Sequence, residues 1–347
     1  MSTKNDFIIN QRATIREALV VLNNVSGEAQ SLFVVDDNQK MVGSLSDGDI
    51  RRGIISGGNL EDKVETIMHR DFKYLDEKDY DVAHLKAFRE RRILFIPILD
   101  DERHIVDVVN LQKFKSHLPV DAVLMAGGKG ERLRPLTEKT PKPLLTVGNK
   151  AIIDHNVDRL ISYGINHINV TVNYLREQIE EHYAEPRNDV RVNCVREPIF
   201  LGTLGSIKFV ENFHHDTVLV MNSDIFTNLD YEDFYLHFME HEADMSVAAV
   251  PYDVSVPYGI LDLEGRVVKG VLEKPTYNYF ANAGIYLIKR ELLDLIPNDE
   301  VFNATDLIEL LVEKNKKVVR FPLNGAWIDI GNIQDYKRAN EMVKYIK

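Results

Sequence analysis

The sequence of 347 residues is poor in several features that would each indicate a particular class of protein. It has a single cysteine, Cys194, so no disulfide framework can form, and a reducing compartment is expected. No apolar run approaches the roughly 18 residues that a membrane-spanning helix requires. The opening residues, MSTKNDFIINQR, lack the apolar segment of a signal peptide. These absences predict a soluble cytoplasmic protein without a membrane partner.

An excess of positive charge is also absent, which argues against nucleic acid as a partner. The formal net charge is −12, of which residues 1–118 contribute −3 and residues 119–347 contribute −9. Binding to nucleic acid requires broad neutralisation of phosphates, which an acidic surface does not supply. Against this background, the stretch LMAGGKGERLRPLTEKTPKPLL at 124–145 contains five basic and two acidic residues. This local charge of +3 predicts a small anionic ligand that is bound at one place.

The first third of the chain contains a weak internal repeat. The segment SLFVVDDNQKMVGSLSDGDIRRGI is echoed by ILFIPILDDERHIVDVVNLQKFKSHL, and a helical pattern precedes each copy. Repetition of this kind predicts two copies of one α/β unit, over about 1–58 and about 59–118. Pro119 marks the predicted boundary with a second domain over residues 119–347.

The second domain alternates predicted strands and helices. VDAVLMAGG is predicted to be a buried strand, GTLGSIKFVENF at 202–213 a helix, and TVLVMNSD a strand that ends at Asp224. Alternation of this kind predicts a doubly wound α/β sheet with parallel strands and crossover helices. Ligands of such sheets bind at the carboxyl ends of the strands. The glycine-rich loop and Asp224 both fall at that edge.

The glycine-rich loop fits neither of the two common phosphate-binding motifs. It contains no lysine followed by Ser or Thr at the G-x-x-x-x-G-K-[ST] spacing of a Walker loop, and it lacks the third glycine of a Rossmann fingerprint. Glycines nevertheless allow backbone N–H groups to approach phosphate oxygens, and Arg132 offers a planar fork for a phosphate. Lys142, between two prolines, has a restricted backbone and provides a positioned charge. The alternative is a solvated turn with surface charges.

From about Asp121 to the end of the sequence, the chain resembles the sugar-1-phosphate nucleotidyltransferases. The resemblance rests on an ordered set of motifs, which are the loop at 124–145, EPIFLGTLGS, NSD, PYGIL, EKP, NAGIY, TDL and WIDIGNIQDYKRAN. Membership implies a Rossmann-like mixed sheet of the GT-A type. It also implies attack of a sugar 1-phosphate on the α-phosphate of an NTP, which gives an NDP-sugar and pyrophosphate.

The resemblance implies a role for each motif residue. Asp224 and Asp329 would bind Mg²⁺, which favours one or two carboxylates together with phosphate oxygens. Arg132 and Lys142 would bind the phosphates and complete the catalytic set. The other expected nucleotide contacts are Ala126, Gly127, Gly128, Gly130, Gly202 and Thr203. The expected sugar-phosphate contacts are Gly259, Glu273, Lys274 and Asn282. For each charged residue, the alternative is a surface ion pair, a turn or a helix cap.

Glu197 precedes the LGTLG loop, where the family reads the nucleobase. The uridylyl- and thymidylyltransferases usually have Gln at this position, and Gln can both donate to and accept from a pyrimidine. A carboxylate only accepts, and guanine presents two adjacent donors, N1–H and the 2-amino group. The residue therefore favours GTP, with UTP or dTTP as the alternative.

The N-terminal repeat resembles a pair of CBS domains. The resemblance rests on the segment GSLSDGDI at 43–50. It implies that Ser46 and Asp49 would bind the ribose of an adenine nucleotide. The second copy has Asn110 and Lys113 at these positions, so at most one site is implied. The alternative is a dimerisation module without a ligand. CBS pairs usually associate face to face, which predicts a homo-oligomer.

None of the motifs PYGIL, EKP and NAGIY indicates a pocket for an N-acetyl group of the acceptor sugar. CBS-fused guanylyltransferases of this layout occur in bacterial pathways to surface nonulosonic acids such as legionaminic acid, so glucosamine 1-phosphate is the favoured acceptor. Mannose 1-phosphate and heptose 1-phosphate remain open. A nucleotide-sensing protein that binds without catalysis is the alternative from another functional class.

Overall fold

The structure is a computed structural model that describes residues 4–25, 31–78 and 81–345. The chain forms two compact units, Met1–His117 and Leu118–Lys347. Within the described ranges, no helix combines the length and the apolar character needed to cross a bilayer.

The first unit repeats one three-stranded arrangement. In each sheet the first pair of strands is parallel and the second pair antiparallel, so the internal repeat of the sequence is present in the structure. Its elements are β1 (Ile8–Asn10), α1 (Ile15–Asn24), β2 (Ser31–Val35), β3 (Met41–Ser46), α2 (Asp47–Ile55), β4 (Leu75–Asp76), α3 (Val82–Glu90), β5 (Phe95–Leu99) and β6 (Ile105–Asn110).

The second unit contains a seven-stranded sheet and several smaller pairs of strands. The elements in its first half are β7 (Asp121–Ala126), β8 (Thr146–Val147), β9 (Lys150–Ala151), α4 (Ile152–Ser162), β10 (Ile168–Val172), α5 (Arg176–His182), β11 (Val192–Arg196), β12 (Thr217–Asn222) and β13 (Ile225–Thr227). Those in its second half are α6 (Tyr231–Glu240), β14 (Met245–Ser255), β15 (Ile260–Glu264), β16 (Val267–Leu272), β17 (Thr276–Lys289), α7 (Ala304–Glu313), β18 (Val318–Pro322), β19 (Trp327–Asp329) and α8 (Ile333–Met342).

The large sheet is mixed and confirms the predicted fold class. Its strand order is β11-β10-β7-β12-β17-β14-β18, and the first four strands are parallel. Strand β17 runs antiparallel to both of its neighbours. Strands β7, β10 and β12 are buried along almost their whole length, because the central parallel strands of such a sheet are covered on both faces. Their carboxyl ends therefore lie together at one edge.

The helix predicted over 202–213 is wrong. The segment contains only a short 3₁₀ turn, Gly205–Phe209. Gly202 has φ +81°, in the left-handed region, and the N–H groups of Leu204 and Gly205 both donate to the carbonyl of Phe302. Hydrogen bonds to Phe302, which is distant in sequence, thus replace the helical hydrogen bonds of this stretch.

Strands β14 and β17 continue beyond the sheet as a long ribbon, which carries the hairpin β15–β16. We call residues 251–280 the arm. Nearly all of its residues are exposed, including large apolar side chains such as Tyr258 and Val271. The β14–β17 pairing is interrupted by an irregularity between Val247 and Ala249, so the arm begins just past a break in the ladder.

Candidate active site

The predicted nucleotide residues surround one cavity at the carboxyl edge of the large sheet. The cavity encloses about 440 Å³. It is lined by the ends of β7 and β12, by the glycine-rich loop and by the segment that follows β11. Among the lining residues are Ala126, Gly127, Gly128, Gly130, Arg132, Lys142, Glu197, Gly202, Thr203, Asp224 and Asp329. The structure thus brings the predicted phosphate, base and metal residues to one place.

The glycine-rich loop is folded tightly against the segment that carries Lys142. Gly130 has φ +62°, and a Cβ at this position would lie 3.0 Å from both Lys142 Cβ and Thr137 Cγ2. The buried hydroxyl of Thr137 donates to the carbonyl of Gly130 at 2.8 Å. A glycine is required here because a side chain would both strain the backbone and displace the lysine segment.

Arg132 and Lys142 approach the cavity from this loop. A Cβ added at Gly331 would lie 3.2 Å from Arg132 Nη2, so the guanidinium reaches the segment just beyond Asp329. Lys142 begins a 3₁₀ turn and is 9% exposed, and its ammonium forms an ion pair with Asp224. The two cations therefore lie beside the two carboxylates that were predicted from sequence to share a metal.

Asp224 and Asp329 are placed next to each other by backbone pairing. The antiparallel strands β13 and β19 put Ile225 opposite Asp329, and the N–H of Ile330 donates to the carbonyl of Asp224 at 3.2 Å. Burial and the negative charge of Asp224 raise the pKa of Asp329, although the charges of Lys142 and Arg132 partly offset this effect. Two adjacent carboxylates in this environment repel each other.

The same carboxylates fit a divalent cation. Asp224 Oδ1 is buried and has no hydrogen-bond partner among the described residues, so one carboxylate oxygen remains available as a ligand. In the described part of the chain no group of three or more His, Cys, Asp or Glu side chains could hold a metal ion. A site with two carboxylates suits Mg²⁺, because Mg²⁺ retains waters and takes phosphate oxygens to complete its coordination.

Glu197 is a buried carboxylate in the wall of the cavity. It follows β11 and is 1% exposed, and its Oε2 finds no hydrogen-bond partner in the ranges that the structure describes. Its Oε1 lies against Gly127, where an added Cβ would come within 1.7 Å. Burial raises the pKa of Glu197, and hydrogen bonding by the Leu201 backbone and the Ser206 side chain only partly offsets this effect. A buried carboxylate oxygen that accepts no hydrogen bond destabilises the folded protein unless a ligand supplies a donor.

The raised pKa of Glu197 predicts a particular dependence of stability on pH. Above the ordinary glutamate pKa of about 4.3, the unfolded chain has released this proton while the folded chain still binds it. The stability of the free protein should therefore fall as the pH rises through the raised folded-state pKa. Thermal unfolding of the wild type and of Glu197→Gln should converge at low pH, with the wild type losing stability relative to the variant as the pH rises. A constant difference between the two curves would contradict this.

A second, smaller cavity adjoins the first. It encloses about 290 Å³ and shares Thr203, Asn222 and Asp329 with the larger one. Asn282 lines it, but its amide is engaged within the protein, with Oδ1 accepting from the Gly284 N–H and Nδ2 donating to the Tyr286 hydroxyl. This cavity is also lined by Asn222, Asn303 and Trp327, which were not among the predicted site residues, although the motifs NSD and WIDIG contain Asn222 and Trp327.

The remaining predicted sugar residues lie in the arm and line neither cavity. A Cβ at Gly259 would lie 3.1 Å from Glu273 Oε2, so these two residues are neighbours, and Lys274 follows with φ +45°. All three are exposed. The structure therefore groups Gly259, Glu273 and Lys274 with one another but not with Asp224, and their contact with a sugar phosphate stays a prediction.

In the first unit, Ser46 and Asp49 form the N-terminal cap of α2. Asp49 Oδ2 accepts from the backbone N–H and the hydroxyl of Ser46, at 2.8 and 2.6 Å, and Asp49 Oδ1 pairs with Arg52. Partial burial opposes ionisation of Asp49, but the hydrogen bonds from Ser46 and Arg52 outweigh it and lower its pKa. Both side chains thus have a structural role, and ribose binding by them stays a prediction.

Two segments of the chain match known protein families. A family model described as Nucleotidyl transferase matches residues 121–345, and one described as CBS domain matches residues 1–56. A mannose-1-phosphate guanyltransferase of Saccharomyces cerevisiae is 30% identical over 226 residues, which are 62% of each chain. The bifunctional protein GlmU of Methanocaldococcus jannaschii is 29% identical over 229 residues, which are 64% of this chain and 54% of GlmU. The chain thus spans 54% to 62% of the length of these curated relatives.

Among solved structures, HddC from Yersinia pseudotuberculosis complexed with GMP-PN is similar in fold. It is 26% identical, with a TM-score of 0.50, and the match covers 64% of this chain and 99% of that chain.

Proposed function

The chain belongs to the nucleotidyl transferase family, and from this premise we propose that its second unit transfers a nucleotidyl group from an NTP to a sugar 1-phosphate. The observation that carries the proposal is the convergence of Arg132, Lys142, Asp224, Asp329 and Glu197 on one cavity. A buried lysine beside two carboxylates is the arrangement that neutralises charge in phosphoryl-type transfer.

The proposed reaction is a displacement at the α-phosphorus of the NTP. An oxygen of the sugar phosphate forms a bond to this phosphorus, the bond to the oxygen that bridges to the β-phosphate breaks, and pyrophosphate leaves with the electron pair. The attacking oxygen is already anionic, so no side chain needs to remove a proton. Catalysis of this kind depends on positioning and on charge neutralisation, which Arg132 and Lys142 would provide.

Asp224 and Asp329 would hold the divalent cation, which we propose to be Mg²⁺. When bound, the cation supplies further neutralisation of the phosphate oxygens and fixes their orientation. Within this chain, the ion pair with Asp224 would keep the Lys142 ammonium close to the developing phosphate charge. Gly127 and Gly128 line the cavity, and their backbone N–H groups would contact the phosphates.

We propose GTP as the nucleotide. Glu197 presents two acceptor oxygens, and the N1–H and 2-amino groups of guanine would supply two donors to this buried carboxylate. Two relatives support this choice, because one is a mannose-1-phosphate guanyltransferase and HddC was solved with GMP-PN.

We propose glucosamine 1-phosphate as the acceptor, as in the guanylyltransferases of pathways to legionaminic acid. The name of the yeast relative favours mannose 1-phosphate as the second candidate. In the first unit we propose an adenine-nucleotide site at Ser46 and Asp49, and association of copies through the CBS pair.

A pyrophosphate-release assay with Mg²⁺ tests the function. GTP, UTP, dTTP and CTP are crossed with the 1-phosphates of glucosamine, mannose, glucose and N-acetylglucosamine. Turnover with GTP and glucosamine 1-phosphate is expected. Turnover with UTP or dTTP would refute the assignment of the base but retain the reaction class. No turnover in any combination, with adenine nucleotides both present and absent, would contradict the proposed function.

A further inference from the structure

Helix α4 places one buried amide against the turn that carries Asp224. Asn156 is 1% exposed. Its Nδ2 donates to the carbonyl of Ser223 at 3.4 Å and to the carbonyl of Ile225 at 2.8 Å. These two carbonyls belong to the residues on either side of Asp224, so a single side chain bridges both flanks of the carboxylate.

The other backbone contacts of this turn come from different elements. The N–H of Ser223 donates to the carbonyl of Met125 in β7, and the carbonyl of Asp224 accepts from the N–H of Ile330 just past β19. The turn is thus held from the sheet, from the strand that ends at Asp329, and from α4. The contribution of α4 comes from a side chain and can therefore be removed by substitution without altering the backbone ladder.

We propose that Asn156 is a positioning residue, which fixes the direction of the Asp224 carboxylate toward a divalent cation. The proposal rests on the proposed function of the site. Asn156 does not line the cavity and would not touch the substrate. Its two donated hydrogen bonds restrict the peptide groups on which the orientation of Asp224 depends. Substitution of a residue that orients a metal ligand without binding the metal itself typically lowers metal affinity or activity roughly 10–100-fold.

The test uses Asn156→Leu, which removes the donor and largely retains the volume. The matched control is Asn169→Leu, because Asn169 is also a buried amide of this unit, and its Oδ1 accepts from Asn193 away from the cavity. Mn²⁺ serves as the probe, and its binding in the presence of GTP is followed by electron paramagnetic resonance. The Mg²⁺ concentration for half-maximal turnover is measured in parallel.

For Asn156→Leu we expect the Mn²⁺ dissociation constant and the Mg²⁺ requirement each to rise about 10-fold. High Mg²⁺ should restore most of the turnover, and the KM for GTP at saturating Mg²⁺ should stay close to the wild-type value. Asn169→Leu should lower the melting temperature without changing the affinity for Mn²⁺. If Asn156→Leu does not fold, Asn156→Asp provides the test, because it keeps the shape but turns an acceptor toward the two carbonyls.

Wild-type affinity for Mn²⁺ in a folded Asn156→Leu or Asn156→Asp variant would overturn the proposal and leave Asn156 a structural role only. Absence of Mn²⁺ binding in the wild type would also overturn it. Wild-type protein that binds Mn²⁺ with GTP but releases no pyrophosphate would refute the proposed function alone, because the effect of Asn156 on metal affinity would still be measurable.

Discussion

Replacing Asp224 by asparagine is expected to reduce kcat roughly 10³-fold. The substitution removes one of the two carboxylates that would hold the cation and also the anionic partner of the buried Lys142. An amide oxygen is a weaker ligand than a carboxylate, and the lysine is no longer held in place by an opposite charge. The change is nearly isosteric, so the folded structure should persist. Steady-state kinetics at saturating Mg²⁺ measure the effect, and thermal unfolding verifies the fold.

The control for this substitution is Asp216→Asn. Asp216 is almost fully exposed and pairs with Arg290 away from the cavity, so its loss should leave kcat unchanged. If Asp224→Asn retained wild-type turnover, the two-carboxylate site would play no part in the reaction. A comparable loss in Asp216→Asn would point to a general effect of charge on the protein.

The second large effect is expected from Glu197→Gln, which should lower kcat/KM for GTP at least about 100-fold. Glutamine presents one donor and one acceptor, so its donor would face a donor of guanine inside a buried wall. UTP and dTTP present a donor and an acceptor, and their relative efficiency should rise. The measurement is kcat/KM for GTP, UTP and dTTP in the wild type and the variant.

Glu177→Gln serves as the matched control, because Glu177 is an exposed glutamate at the start of α5. Its nucleotide preference should equal that of the wild type. Unchanged efficiency with GTP in Glu197→Gln would show that this residue does not read the base. The nucleotidyl transfer itself would remain unaffected by that result.

The sequence could predict those site residues whose type and immediate neighbours indicate their position. The glycines of the loop, Lys142 between prolines, and Asp224 at the end of a strand all follow from residue type and position. Their convergence follows from the sheet, because parallel strands bring their carboxyl ends to one edge. The metal role of Asp329 was predicted instead from the family resemblance, because this residue lies more than a hundred positions from Asp224 in the sequence. In the structure, the pairing of β13 with β19 brings the two residues together.

Other features depend on contacts between distant segments and leave no local signal. Asn156 reads as an ordinary helical residue, yet its partners are 67 and 69 positions away. The segment after Gly202 has a helical pattern but is bonded to Phe302 instead. The position of the arm, with Glu273 and Lys274 outside both cavities, likewise depends on how a long ribbon leaves the sheet rather than on its sequence pattern.

The measurement that tests the central claim most directly follows the α-phosphate itself. Wild-type protein is incubated with Mg²⁺, glucosamine 1-phosphate or mannose 1-phosphate, and GTP radiolabelled at its α-phosphate, and the products are separated. We predict that the label appears in a GDP-sugar, in equimolar amount with unlabelled pyrophosphate. Label that remains in GTP with both sugars, or that leaves as GMP without attachment to a sugar, would contradict nucleotidyl transfer from GTP to these sugars at this site.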